Sequence, residues 1–144
     1  IEGPSKFLLE DSFSNNKDVI ITGLKPNHLM NDWLSMGDIH VLPQKDNLDA
    51  LVMPSKLIGI LASGRPVVAT CRRNNELGEI VEKAGFVVNP GDVEAFCKAI
   101  LDLVEDKILR EYKGRKARKL ASEIYDKEKI FGEFMSQIEI LKNS

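Results

Sequence analysis

Four short runs rich in β-branched residues punctuate this chain: DVIITG (Asp18–Gly23), DIHVLP (Asp38–Pro43), PVVAT (Pro66–Thr70) and FVVNPGD (Phe86–Asp92). A helical pattern lies between each run and the next. Short continuous apolar runs read as strands covered on both faces. Strands that alternate with helices pair in parallel, because a chain starting a parallel neighbour must first cross back along the sheet. Such crossovers are right-handed. The expected architecture is therefore α/β, a parallel sheet flanked by helices. With 144 residues the chain has the length of one domain and enough surface to bury one core.

The helices announce themselves by caps and stripes. Lys6 to Phe13 is a short amphipathic stretch. Pro26 to Asp38 opens on a breaker, sets Leu29, Trp33 and Leu34 on one face, and stops at Gly37. Residues 56–63 form a helix closed by Gly64, and Asn75 to Gly85 has an Asn cap and a Gly stop. From Asp92 to Lys142 the pattern is helical, with breaks near Asp106 and at Tyr125–Asp126. Phe96, Ile100, Leu103 and Val104 mark one apolar stripe there; Ile130, Phe134, Ile138 and Leu141 mark another. The expected organisation is one domain over residues 1–144, with terminal helices over about 92–142.

Composition excludes several classes. Twenty Lys and Arg stand against 22 Asp and Glu, so the net charge is -2 and gives no general pull toward nucleic acid. Cys71 and Cys97 have no CxxC spacing, and His28 and His40 read as structural, so no metal site is expected. Two free thiols, no signal peptide and no membrane-length apolar run point to a cytoplasmic setting.

In open α/β sheets ligands sit outside the carboxyl ends of the strands. Three loops qualify: Gly23-Leu24-Lys25, Gln44–Lys56 and Cys71–Asn75. The second is long for a βα connection and leads into a helix apolar nearly all round, with Leu57, Ile58, Ile60, Leu61 and Ala62. Ser55 reads as its N-cap. That places Lys56 in the first turn, where a cation costs roughly 0.3–1 kcal/mol against the helix dipole. The amides of Lys56, Leu57 and Ile58 lack intrahelical partners there, and with the ammonium they would suit a phosphate or diphosphate. The alternative is that Lys56 runs out to solvent near a carboxylate such as Asp49.

DIHVLPQ, LVMPSK, LASGRPVVAT and GFVVNPGDVEAF, in that order, resemble the carboxy-terminal domain of retaining glycosyltransferases of the GT-B fold, glycosyltransferase family 4. LPQK, LVMPSKL, ILASGRPVVAT and the late YDKEKIFGEFMSQI resemble most the subgroup that builds bacterial exopolysaccharide of the colanic-acid type. The resemblance implies a Rossmann-like domain that binds a nucleotide-diphosphate sugar. It implies a partner amino-terminal domain for the acceptor, and transfer with retention and without a metal or other cofactor. By matching motifs, Gly23, Leu24 and Lys25 would lie near the base. Ser55, Lys56 and Leu57 would lie near the diphosphate, with Met53 and Pro54 also among the donor-binding residues. Gln44 to Asp49 would face the sugar or the cleft. No residue is singled out as catalytic.

Two departures stand out. The family carries two glutamates eight positions apart; the second falls at Gly59 here and the first at Leu51, with Asp46 or Asp49 as substitutes for the first. The family's basic pair for the donor phosphates and at least one strand lie before the segment that begins at Ile1. IEGP resembles the end of that strand, so the expectation is a carboxy-terminal portion lacking its first strand or strands and inactive alone. The rival readings are a non-catalytic Rossmann-like regulatory module and a GT-B nucleotide-sugar epimerase. KGRKARK (Lys113–Lys119), with five cations in seven residues, reads as a solvated helix face, or as a contact with the anionic inner face of a membrane, where lipid-linked acceptors reside. Arg72 and Arg73 read as a surface turn or as further help for the diphosphate.

Overall fold

The computed structural model describes residues 4–44 and 54–142. Two compact units divide the chain, Ile1–Asp32 and Trp33–Ser144. The first carries helix α1 (Pro4–Phe13), a stretch without regular structure, and a 3-10 turn at Asn27–Leu29; helix α2 (Met30–Met36) spans the boundary. The strand expected at Asp18–Gly23 does not form, and Ile20 is 85% exposed. Strand propensity measures how a residue fits a paired, half-covered surface rather than an intrinsic preference of the backbone, so β-branched content alone does not make this run a strand.

The second unit contains β1 (His40–Leu42), α3 (Ser55–Ser63), β2 (Val67–Thr70), α4 (Glu76–Ala84), β3 (Gly85–Val88), α5 (Val93–Glu105), α6 (Lys107–Ile124) and α7 (Lys127–Lys142). The sheet has three strands in the order β1-β2-β3, all parallel, with His40 opposite Val67 and Val67 opposite Gly85. The α/β expectation holds, with three strands among the described residues where four were read.

Period-two alternation sorts the side chains of the sheet. Val67, Ala69, Cys71 and Val87 join Leu57, Ile60, Leu61, Leu77, Val81 and Ala117, so α3, α4 and α6 cover one face. Val68 and Val88 join Ala99 and Leu103, so α5 covers the other, with Phe96 and Ile100 packed against it. Both crossover helices lie on one face, as crossovers of one hand require for strands taken in sequence.

Caps place the helix ends. Asn75 Oδ1 accepts from Gly78 N–H at 2.7 Å, Asp92 Oδ1 from Ala95 N–H at 2.9 Å, and Asp106 Oδ1 from Leu109 N–H at 2.9 Å. Gly64, at φ 70°, closes α3 in the left-handed region. Helix α7 forms where its apolar stripe was read, yet none of its residues is buried, and Phe134 is 57% exposed. Periodicity declares an apolar face but does not supply an element to cover it. No helix among the described residues is long and apolar enough to cross a membrane.

His40 is half-buried at the start of β1. Its Nε2 lies 2.9 Å from the Leu34 carbonyl oxygen and 3.4 Å from Ser63 Oγ, which itself donates to Ile60 O. Burial holds its pKa below the usual 6.5; the nearby Arg65 cation adds to this and the Leu34 carbonyl opposes it.

Two outcomes test this packing. A Cβ on Gly85 would stand 1.7 Å from the Val67 carbonyl oxygen, whereas one on Gly132 in α7 meets nothing. In urea unfolding, Gly85→Ala is expected to cost about 3 kcal/mol or more, and Gly132→Ala to gain roughly 0.5–1 kcal/mol. The native chain protonates His40 less readily than the unfolded chain. The stability it contributes is therefore present above pH 6.5 and lost as pH falls below it. The fall in unfolding midpoint from about pH 7.5 to 5 should be shallower in His40→Gln than in the parent.

Candidate functional site

Parallel pairing brings all three strand carboxyl ends to one edge. α3 and α4 run back against the strands, so their N-termini open at that same edge. At α3 the structure corrects the expected cap. Pro54 occupies the N-cap in extended conformation (φ -63°, ψ 120°), no side chain caps the helix, and Ser55 is its first residue. Proline fits the entry to a helix because of its fixed φ but has no side-chain acceptor to offer. The Leu57 amide donates to Pro54 O at 2.9 Å, so one of the three amides expected to be open is occupied. Those of Ser55 and Lys56 form the tip. Ser55 and Lys56 are exposed, while the Leu57 side chain is fully buried and anchors the tip to the core.

Beside this tip, the rim is held by a pair that sequence reading missed. The Gln44 amide donates to Thr70 Oγ1 at 2.7 Å, and Thr70 Oγ1 donates to the Gln44 carbonyl at 2.8 Å. One hydroxyl thus prolongs the β1–β2 pairing beyond the strands and sets where the long loop departs. Gln44 Oε1 is buried with no hydrogen-bond partner among the described residues. The only local signal was a Thr closing a β-branched run. Next along the rim, the Arg72–Arg73 backbone lies over the first turn of α4, where a Cβ on Gly78 would stand 2.4 Å from Arg72 O. Arg73 turns back to Glu82 Oε1 at 3.0 Å and reaches Val87 O at 3.4 Å. Tyr125, at the end of α6, has its phenol pKa raised by burial and then by Glu76.

Of the residues read from sequence, Gln44, Pro54, Ser55, Lys56 and Leu57 come to the carboxyl edge of the second unit. Gly23, Leu24 and Lys25 belong to the first unit, with Leu24 exposed. Asp46, Asp49, Leu51, Met53 and Ile1–Gly3 lie outside the described residues. At Gly59, where the resemblance would place a glutamate, a Cβ would stand 3.0 Å from Leu34 Cδ1, so packing of α2 on α3 uses that space. Thr70→Val leaves the Gln44 amide and carbonyl unpaired and should lower unfolding free energy by about 1–3 kcal/mol, with Thr70→Ser retaining most of it, as read by urea titration.

A family model described as "Glycosyl transferases group 1" matches residues 2–106. The chain is 34% identical over 108 residues to "Putative colanic acid biosynthesis glycosyl transferase WcaI" of Escherichia coli (strain K12), covering 73% of this chain and 26% of that protein. It is 33% identical over 130 residues to "Sulfoquinovosyl transferase SQD2" of Arabidopsis thaliana, covering 87% of this chain and 24% of that protein. The chain thus spans about a quarter of the length of these curated relatives. No solved structure matches it significantly. With a parallel sheet flanked by helices and that match over most of its length, the chain belongs to the group 1 glycosyl transferases.

Proposed function

We propose that this chain is the donor-binding part of a retaining, family 4 glycosyltransferase. It would hold a nucleotide-diphosphate sugar while a separate amino-terminal domain presents a glycan or lipid-linked acceptor. Family membership supports sugar transfer. The colanic-acid name of the Escherichia coli relative supports bacterial surface polysaccharide as the setting. The observation that carries the reading is the α3 tip: Ser55 and Lys56 are exposed at the carboxyl edge of the sheet, on a helix anchored by buried Leu57, Ile60 and Leu61.

Chemistry at such a tip is charge stabilisation. When the glycosidic bond to the leaving group breaks, negative charge grows on the diphosphate. Donors already fixed in place stabilise that charge without reorganising. Lys56 supplies a full positive charge and the helix terminus about half of one. On this reading the ammonium belongs beside the dipole because the ligand's two or more negative charges outweigh their mutual repulsion. The reading assigns the cationic work to protein groups and asks for no metal.

In the complete enzyme, Lys56→Ala is expected to slow turnover by on the order of 10²–10³ with the fold intact, by analogy with loss of one oxyanion donor. Titration of the chain with UDP and GDP, followed by amide NMR, should shift Ser55–Leu57. Unchanged turnover in Lys56→Ala would remove the diphosphate role.

A further inference from the structure

The opposite edge of the sheet carries a second charged feature. A cleft of about 440 Å³ opens beside the turn that leads from α3 into β2. Arg65, Lys107, Arg110, Arg115 and Arg118 line it against two carboxylates, Asp38 and Glu111. Cations exceed anions by three there, in a chain whose net charge is -2. The excess is therefore local, and it is built by the fold.

Arg110, Gly114 and Arg118 stand four residues apart, so they share one ridge of α6. Gly114 is the floor between the two guanidiniums. A Cβ there would stand 2.3 Å from Gly64 O, so only a bare backbone lets α6 approach the turn. Each guanidinium is held from behind. Arg110 Nη1 donates to Leu103 O at 2.7 Å and Val104 O at 2.9 Å, Arg118 Nη1 to Ala62 O, and Arg65 Nη2 to Ser35 O at 3.0 Å.

Two of those partners are the C-terminal ends of α3 and α5, each worth about half a negative charge. Together they offset one cation of the surplus and leave roughly two. The ion pairs are long: Arg65–Asp38 3.6 Å, Lys107–Glu111 3.7 Å and Arg115–Glu111 3.9 Å. Arg110 and Arg118 have no carboxylate partner among the described residues, and the second terminal nitrogen of each donates to nothing there. A guanidinium has five N–H donors in a planar fork, which matches the oxygens of a phosphate.

We propose that this cleft binds a phosphate-bearing anion, at a site separate from the α3 tip and independent of the donor-site reading. Arg110 and Arg118 clasp the anion from either side of Gly114, Arg65 closes the turn side, and Glu111 weakens binding by repulsion. The phosphate belongs either to a soluble ligand or to a lipid headgroup at a membrane surface.

The test titrates the full chain with sodium pyrophosphate at fixed ionic strength, followed by amide NMR. A parallel arm measures sedimentation with phosphatidylglycerol vesicles against phosphatidylcholine vesicles. Support is saturable shifts at Gly64, Arg65, Gly114 and Arg118, which identify a soluble phosphate. Retention on phosphatidylglycerol alone, released by pyrophosphate, supports the site equally and identifies a headgroup. Arg110→Gln and Arg118→Gln should each weaken binding roughly tenfold or more. Because both arginines also cap helices, Arg115→Gln and Glu111→Gln serve as folding-neutral variants, the first weakening and the second strengthening binding. The proposal is overturned by absence of saturable binding in both arms, by shifts confined to Ser55–Leu57, or by equal affinity in Arg115→Gln and Glu111→Gln. UDP or GDP shifts at Ser55–Leu57 report on the donor site alone, so the two readings fail separately.

Discussion

Strand β2 is closed off from water along its whole length, and its neighbours follow from that burial. Four successive residues whose main-chain groups cannot reach solvent need hydrogen-bond partners on both sides. β1 and β3 supply them in parallel register. Gly85, opposite Val67, has no side chain where the Val67 carbonyl lies, so β3 comes close enough to pair. Covering the two faces then requires helices on both, and α3, α4 and α6 take one while α5 takes the other.

The same topology gives the two edges opposite electrostatic character. Helices that return against parallel strands present their amide ends at the carboxyl edge and their carbonyl ends at the amino edge. At the first edge the exposed Lys56 stands in the first turn of α3, beside the positive end of its dipole. At the second, Arg110 and Arg118 answer the C-terminal carbonyls of α5 and α3, and their charge exceeds what those carbonyls need. Cationic groups thus accumulate at both ends of the sheet in a chain with a slight excess of acid.

Local signals were legible where the relevant physics is local. The Asn75 cap, the Gly64 stop and the helix break near Asp106 each involve atoms within a few residues, and the structure has all of them. PVVAT and DVIITG look alike as sequence, yet one is the buried centre of the sheet and the other is irregular. The difference is whether another strand stands alongside. α7 shows the same for a helix, since its stripe is well formed and uncovered. Ser55 misled because Ser is a frequent cap, but the preceding proline had already taken that place.

From the order of its residues alone, this chain is committed to alternating strands and helices, to the places where helices stop, and to the group 1 glycosyltransferase pattern. The fold settled which strands meet, and how the rim is clamped through Thr70 and Gln44, 26 positions apart. It also settled that Gly64 and Gly114 touch so that two arginines flank one gap. Caps and propensities act through neighbours a turn away. Close approach depends on atoms that chain folding brings from far along the sequence, and no local pattern records them.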